Sequence, residues 1–156
     1  MSYNNIAIHK MSNEDFEEIK DTLTTEFDNF WNAATLKEEL QNSNSYYIVV
    51  KDVTTNNKIV GFAGLKIVID EADLMYIVTR KDKRNLGIAT AMLDNLINNV
   101  AKQKNIKKIT LEVNQKNTSA IKLYQKFNFK QIAIRKKYYK NVDDAIIMQK
   151  ILKREP

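Results

Sequence analysis

A mixed α/β fold is predicted for this chain: an antiparallel meander, then strand–helix–strand–helix, then a C-terminal hairpin. Three observations predict it. Between Tyr46 and Val78 three β-rich runs are separated only by short polar turns. The apolar period then switches to four residues at Ile88, Met92, Leu96 and Val100. After that, short apolar strands alternate with one further amphipathic helix. At 156 residues with 44% hydrophobic, the chain has the size of one domain, taken as 1–156. A domain of that length buries about 70% of the surface its unfolded chain exposes, so it folds without disulfide or structural metal.

In order, Ile6 and Ile8 alternate with polar neighbours as a first strand, and Ser12 with Asp15 resembles a capping box opening a helix from Asn13 to about Thr24. Thr35 and Glu38 form a fuller box, placing a second helix near 36–42. Tyr46–Val50, a turn at Thr54–Asn57 and Ile59–Leu65 form a hairpin. A turn at Asp70–Glu71 leads into the third run, Leu74–Val78. The long helix follows over Gly87–Gln103, then the strand Ile109–Val113 and a helix marked by Ala120, Leu123, Tyr124 and Phe127. Ile132 and Ile134 begin a strand, Tyr138–Asp144 reads as the turn, and Ala145–Met148 closes the sheet. Parallel pairing is expected where Leu74–Val78 meets Ile109–Val113.

Composition removes several chemistries. There is no Cys, hence no thiol nucleophile, zinc-finger cluster or disulfide framework, which fits a reducing compartment. The longest apolar stretch, Ile59–Leu65, is far short of the ~18 residues that span a bilayer, and no signal peptide is visible, so the chain reads as cytoplasmic with no membrane partner. A net charge of +6 admits an anionic partner, but lysines outnumber arginines 21 to 4, a balance that disfavours nucleic acid. Three glycines leave no Rossmann or P-loop fingerprint. The lone His9 reads as a strand residue, and Asp70, Glu71 and Asp73 as a solvated turn, with contact to a substrate amine as the alternative. No metal site is expected.

Arg84-Asn85-Leu86-Gly87-Ile88-Ala89 lies between a strand and the long helix, where helix-start N–H groups lack intrahelical partners. With Arg80, Lys81, Lys83 and Arg84 nearby, it reads equally as an anion cradle or as a capped helix behind a solvated basic loop. Valine at Gly87 is expected to fill the cradle yet leave the fold intact.

The wording R-x-x-G-x-A in this segment resembles the acetyl-CoA loop of the GNAT acyltransferase superfamily. Leu111-Glu112-Val113-Asn114, then Asn117, Ala120, Leu123-Tyr124 and Phe127-Asn128-Phe129, resembles the L-E-V-R…N…A…L-Y…G-F signature of protein N-terminal acetyltransferases, in particular the ribosomal-protein-alanine group, the RimI type. Arg135–Tyr139 and Asp143–Met148 are similar to that group's final hairpin. The chain departs from the pattern at Asn128, which replaces Gly in a turn that Asn should preserve, at Asn114, which replaces Arg, and at Tyr76, which replaces Asn.

The resemblance implies a GNAT-like mixed central sheet and acetyl transfer from acetyl-CoA, as co-substrate and without metal, to the N-terminal amine of a protein, with a ribosomal protein as candidate. It implies Glu112 as general base and Tyr124 as general acid toward the CoA thiolate. Backbone groups around Tyr76, Ile77 and Val78 would pair with the pantetheine arm, and Arg84, Asn85, Leu86, Gly87, Ile88 and Ala89 would hold the diphosphate. Asn117 would contact the cofactor near the thioester, and Tyr138 and Tyr139 would line a peptide groove. From the residues alone, Glu112 remains an ordinary strand carboxylate and Tyr124 a core aromatic. A small amine acceptor, such as a polyamine or aminoglycoside, and a non-catalytic acyl-CoA-binding module remain the alternatives.

Overall fold

The computed structural model describes residues 5–27, 32–139 and 142–152. Its strands are β1 (Ile6–Lys10), β2 (Ser45–Asp52), β3 (Lys58–Val68), β4 (Glu71–Thr79), β5 (Lys108–Asn114), β6 (Lys130–Tyr139) and β7 (Asp143–Ile151). They form one mixed sheet in the order β1-β2-β3-β4-β5-β7-β6, antiparallel except where β4 meets β5. The helices are α1 (Asn13–Ile19), α2 (Ala33–Gln41), α3 (Ile88–Asn95), α4 (Ala101–Gln103) and α5 (Thr118–Lys126). A π-helical turn, Leu96–Val100, joins α3 to α4 along the apolar stripe read from the sequence.

Each face of the sheet has its own core. Phe16, Ile19 and Leu36 of α1 and α2 pack on Tyr47, Val49 and Phe62. On the opposite face Met92, Leu96, Val100 and Tyr124 pack on Val50, Leu65, Leu74, Leu111 and Met148. The first cluster draws its strand residues from β2, β3 and β4, so among the described residues no helix of that layer packs on β5, β7 and β6.

Several boundaries differ from the sequence reading. Helix α1 ends at Ile19 and a π turn, Leu23–Phe27, follows. The Thr22 and Thr25 hydroxyls donate to the Ile19 and Thr22 carbonyls, a local alternative to helix that the apolar period does not reveal. Helix α2 is capped by Asn32, whose side chain accepts from the Thr35 N–H at 2.8 Å, so Thr35 lies inside the helix rather than at its start. Ser12 and Asp15 do form the reciprocal box. Glu71 and Asp73 belong to β4 rather than to a turn, and Glu71 pairs with Lys108 of β5 at 3.1 Å. Strand character continues through Tyr139 and resumes at Asp143, so the last turn is shorter than Tyr138–Asp144, with 140–141 outside the described residues. His9 is a strand residue, as expected.

One glycine of the meander is sterically required. A Cβ on Gly64 would lie 2.2 Å from the Tyr47 ring, which is 2% exposed and fixed under α2. Gly64→Ala is therefore expected to destabilise the protein by about 3 kcal/mol and lower the melting temperature by roughly 10 °C, read by thermal denaturation. A melt within 2 °C of the parent protein would mean that the ring moves aside freely.

Candidate active site

The site begins with a residue too many in β4. Gly64 faces Tyr76 and Leu65 faces Leu74, leaving Met75 as a bulge. A bulge bends its strand and sharpens the local twist. Parallel pairing with β5 accordingly covers only Glu71–Asp73 against Lys108–Thr110. The expected meeting of Leu74–Val78 with Ile109–Val113 is thus corrected. Beyond Asp73, β4 continues with β3 and β5 with β7, so a gap opens between β4 and β5. Tyr76, Ile77 and Val78 border it on the β4 side. Burial, with the Glu39 carboxylate nearby, pushes the Tyr76 phenol above its ordinary value, so it is protonated at neutral pH.

Alternation along β5 then divides the reactive groups between two faces. Ile109, Leu111 and Val113 are buried beneath α3 and α5, so Thr110, Glu112 and Asn114 point the other way. Tyr124 lies in the same core as Leu111, 6% exposed, with its ring centroid 5.9 Å from that of Phe129. Glu112 and Tyr124 therefore flank the sheet from opposite sides and can serve one ligand only where the sheet is open. On its exposed side Glu112 Oε1 lies 3.2 Å from Arg135 Nη1.

The loop before α3 has the geometry of an anion cradle. Asn85 (φ 64°) and Gly87 (φ 85°) are both left-handed, and Gly87 caps α3 with no side-chain hydrogen bond to the first N–H groups. Successive N–H groups in such alternating backbone form a concavity that suits phosphate oxygens. Two of its cations have partners within the protein. Arg84 Nη2 donates to the Phe27 carbonyl at 2.9 Å, while Arg80 pairs with Asp82 at 2.8 Å and Glu26 at 3.4 Å. These arginines fasten the loop to neighbouring backbone and carboxylates. The Ile88 side chain is buried in the core and Ala89 is half-buried, so what both offer a ligand is backbone.

Tolerance of valine at Gly87 is also corrected. A left-handed residue with a Cβ is strained by roughly 1–2 kcal/mol, more so when β-branched. Gly87→Asn, which accepts that backbone, isolates the filling effect. If the loop holds the diphosphate of acetyl-CoA, as the sequence resemblance implies, this substitution is expected to raise the Michaelis constant for acetyl-CoA about tenfold, a loss of the order set by one anion contact, and that for the acceptor less than twofold. Steady-state kinetics check this, and an unchanged value for acetyl-CoA would move the diphosphate elsewhere.

Asn117 caps α5, its side-chain oxygen accepting from Ala120 N–H at 3.2 Å and from the Ser119 hydroxyl at 3.3 Å; the cap uses only the oxygen of the amide. Across β7, strand β6 bulges between Arg135 and Tyr139, with Lys137 left-handed and donating its N–H to Asp144 at 2.8 Å. Tyr138 is half exposed on this bulge, 5.2 Å from the Arg135 guanidinium carbon. The Tyr139 side chain lies outside the described residues. Asn114 ties the end of β5 to this hairpin, donating to Asp143 at 3.2 Å, and Lys116 pairs with the same carboxylate at 3.0 Å. Both partners hold Asp143 below the usual carboxylate range. Neither this tie nor the Arg135–Glu112 contact is readable in the sequence, because the two β6 bulges break the strand period.

Two negative observations bound the site. Among the described residues no three His, Asp or Glu side chains are grouped to hold a metal ion, and no helix is long and apolar enough to cross a membrane. A cavity of about 560 Å³ lined by Lys102, Lys126, Phe127, Lys150 and Leu152 lies at the C-terminal ends of α4 and α5. Its lysines complement the helix dipoles, and Lys150 donates to the Phe127 carbonyl at 2.7 Å.

Residues 15–129 match the acetyltransferase (GNAT) family. The [ribosomal protein bS18]-alanine N-acetyltransferase of Escherichia coli K12 is 37% identical over 99 residues, and the match spans 62% of this chain and 66% of that protein, just under two thirds. The putative enzyme of the same name from Bacillus subtilis is 28% identical over 91% of this chain and 93% of its own. The crystal structure of the E. coli ribosomal-protein-S18-alanine N-acetyltransferase superposes with a TM-score of 0.85 at 26% identity, covering 97% of this chain and 96% of that one.

Proposed function

The chain belongs to the GNAT family, and from that premise we propose that it is an acetyl-CoA-dependent acetyltransferase that acts on the N-terminal α-amine of a protein, with a ribosomal protein as acceptor, in the cytoplasm. The observation that supports this mechanism is the gap that opens between β4 and β5 beyond Asp73, with Glu112 on the exposed face of β5 and Tyr124 in the core on the opposite face. An α-amine with a pKa of about 7.7–8.0 is largely protonated at neutral pH and attacks only as the free base. Glu112 takes its proton, directly or through water, from the open face. The amine nitrogen bonds to the thioester carbonyl carbon, the carbon–sulfur bond breaks, Tyr124 protonates the departing thiolate from the core face, and the second proton lost by the nitrogen returns the Tyr124 phenolate to its neutral form, directly or through water. Such acid–base assistance contributes about 10²–10⁴-fold.

The residues fit the co-substrate. The edge of β4 at Tyr76, Ile77 and Val78 offers strand-like hydrogen bonding to the pantetheine amides. The 84–89 backbone receives the diphosphate, with Asn117 near the thioester. On the acceptor side, β5, β7 and β6 present a helix-free face with Tyr138 exposed beside it, room for an extended chain end, and the sequence resemblance alone assigns Tyr139 to the same groove.

CoA release measured with a panel of N-terminal peptides, polyamines and aminoglycosides tests the proposal. Turnover on peptides with a free α-amine, lost when that amine is blocked, is the expected result. Turnover confined to small amines overturns the acceptor, and acetyl-CoA binding with no transfer to any amine overturns the chemistry.

A further inference from the structure

We infer that Arg135 is a positioning residue that holds the Glu112 carboxylate at the gap, an inference that rests on Glu112 being the general base. Glu112 pairs across to Ile147, and Arg135 to Ala145, so β5 and β6 flank β7 and present both side chains on the helix-free face. Two strand spacings, about 9.6 Å, separate their backbones. Only long side chains bridge that distance, and they meet at 3.2 Å between Arg135 Nη1 and Glu112 Oε1. The same guanidinium lies 5.2 Å from the Tyr138 ring, so one cation touches both the base and the acceptor wall.

The identity of the cation is informative. This chain carries 21 lysines and four arginines, and both residues after Arg135 are lysine. A planar guanidinium can stack on a ring while donating edge-on to a carboxylate, whereas a lysine ammonium offers a point charge without the stacking plane. The side chains are 57% and 33% exposed, and exposed ion pairs add little stability. Orientation is the larger consequence. A glutamate on an uncovered face samples several rotamers, and small misplacement of a reacting group is costly in rate.

A double-mutant cycle on Arg135→Gln and Glu112→Gln tests the inference, with acetyl-CoA and the best peptide of the panel as substrates and Arg135→Lys as the conservative variant. Arg135→Gln is expected to lower kcat about 5–20-fold, leave the Michaelis constant for acetyl-CoA unchanged, and keep the melting temperature within about 2 °C, as an exposed pair should. Arg135→Lys should recover part of kcat. In the Glu112→Gln background, Arg135→Gln should add less than about twofold, because a positioning residue has nothing left to position. Full additivity of the two losses overturns the inference, as does normal kcat in Arg135→Gln when Glu112→Gln is slow. A Glu112→Gln protein with normal turnover overturns the general-base reading itself, and the two failures are thereby told apart.

Discussion

Tyr124→Phe is expected to lower kcat by about 10–10³-fold, roughly 1.4–4 kcal/mol of barrier, while either Michaelis constant changes less than twofold. The size follows from what the substitution removes. The ring lies in the core with Leu111 and Phe129, so alanine would confound chemistry with a cavity, whereas Phe keeps the volume. The backbone at this position also stays intact. Its carbonyl accepts from Phe127 and Phe129 N–H groups, closing the end of α5. Only the hydroxyl is lost, and with it the proton for the thiolate. CoA thiolate is a tolerable leaving group, so the reaction slows without stopping. An acyl donor with a more acidic thiol should narrow the gap between mutant and parent protein, because a better leaving group needs less protonation. Equal activity of both proteins with both donors would make Tyr124 a core residue only, with water or the amine supplying the proton.

The pattern that placed Tyr124 is local, which is why the sequence carried it. A four-residue apolar period survives any tertiary context that buries one helix face, so the long helix and α5 were legible, as was the I-T-L-E-V alternation that puts Glu112 opposite Leu111. Asn128 adopts φ 66°, the left-handed turn expected when Asn stands in for Gly. The gap was not legible. Leu74–Val78 reads as an unbroken strand with no Gly or Pro to signal Met75 as an extra residue, and its bulge is visible only against the register of β3. The parallel contact was consequently expected to start three residues too late in β4 and one too late in β5. The partners of Arg80 and Arg84 were not legible for a related reason: a cation beside a phosphate-like loop has the same local sequence whatever it pairs with, here the Phe27 carbonyl 57 residues away in the case of Arg84. Around α2 the Asn32 carboxamide caps the helix, and Thr35, read as the cap, lies within its first turn.

Glu112→Gln should bind acetyl-CoA like the parent protein yet turn over about 10²-fold more slowly at neutral pH, at the lower end of what general-base assistance contributes. The glutamine is isosteric and keeps an oxygen that can accept from Arg135, so the helix-free face retains its shape. The ion pair it removes is exposed, so the melting temperature should move little. What remains missing is a group to take the ammonium proton. Below the amine pKa of about 7.7–8.0 only a small fraction of acceptor is the free base, and that fraction grows tenfold per pH unit. The mutant rate should therefore climb from pH 6 toward about pH 8 and flatten above it, and the deficit relative to the parent protein should shrink over the same interval. Buffers of similar size and increasing basicity should accelerate the mutant more than the parent protein, since a diffusing base can replace the missing carboxylate on an open face. A pH–rate profile in Glu112→Gln that parallels the parent protein at every pH would reduce Glu112 to a strand residue whose contact with Arg135 has no part in catalysis.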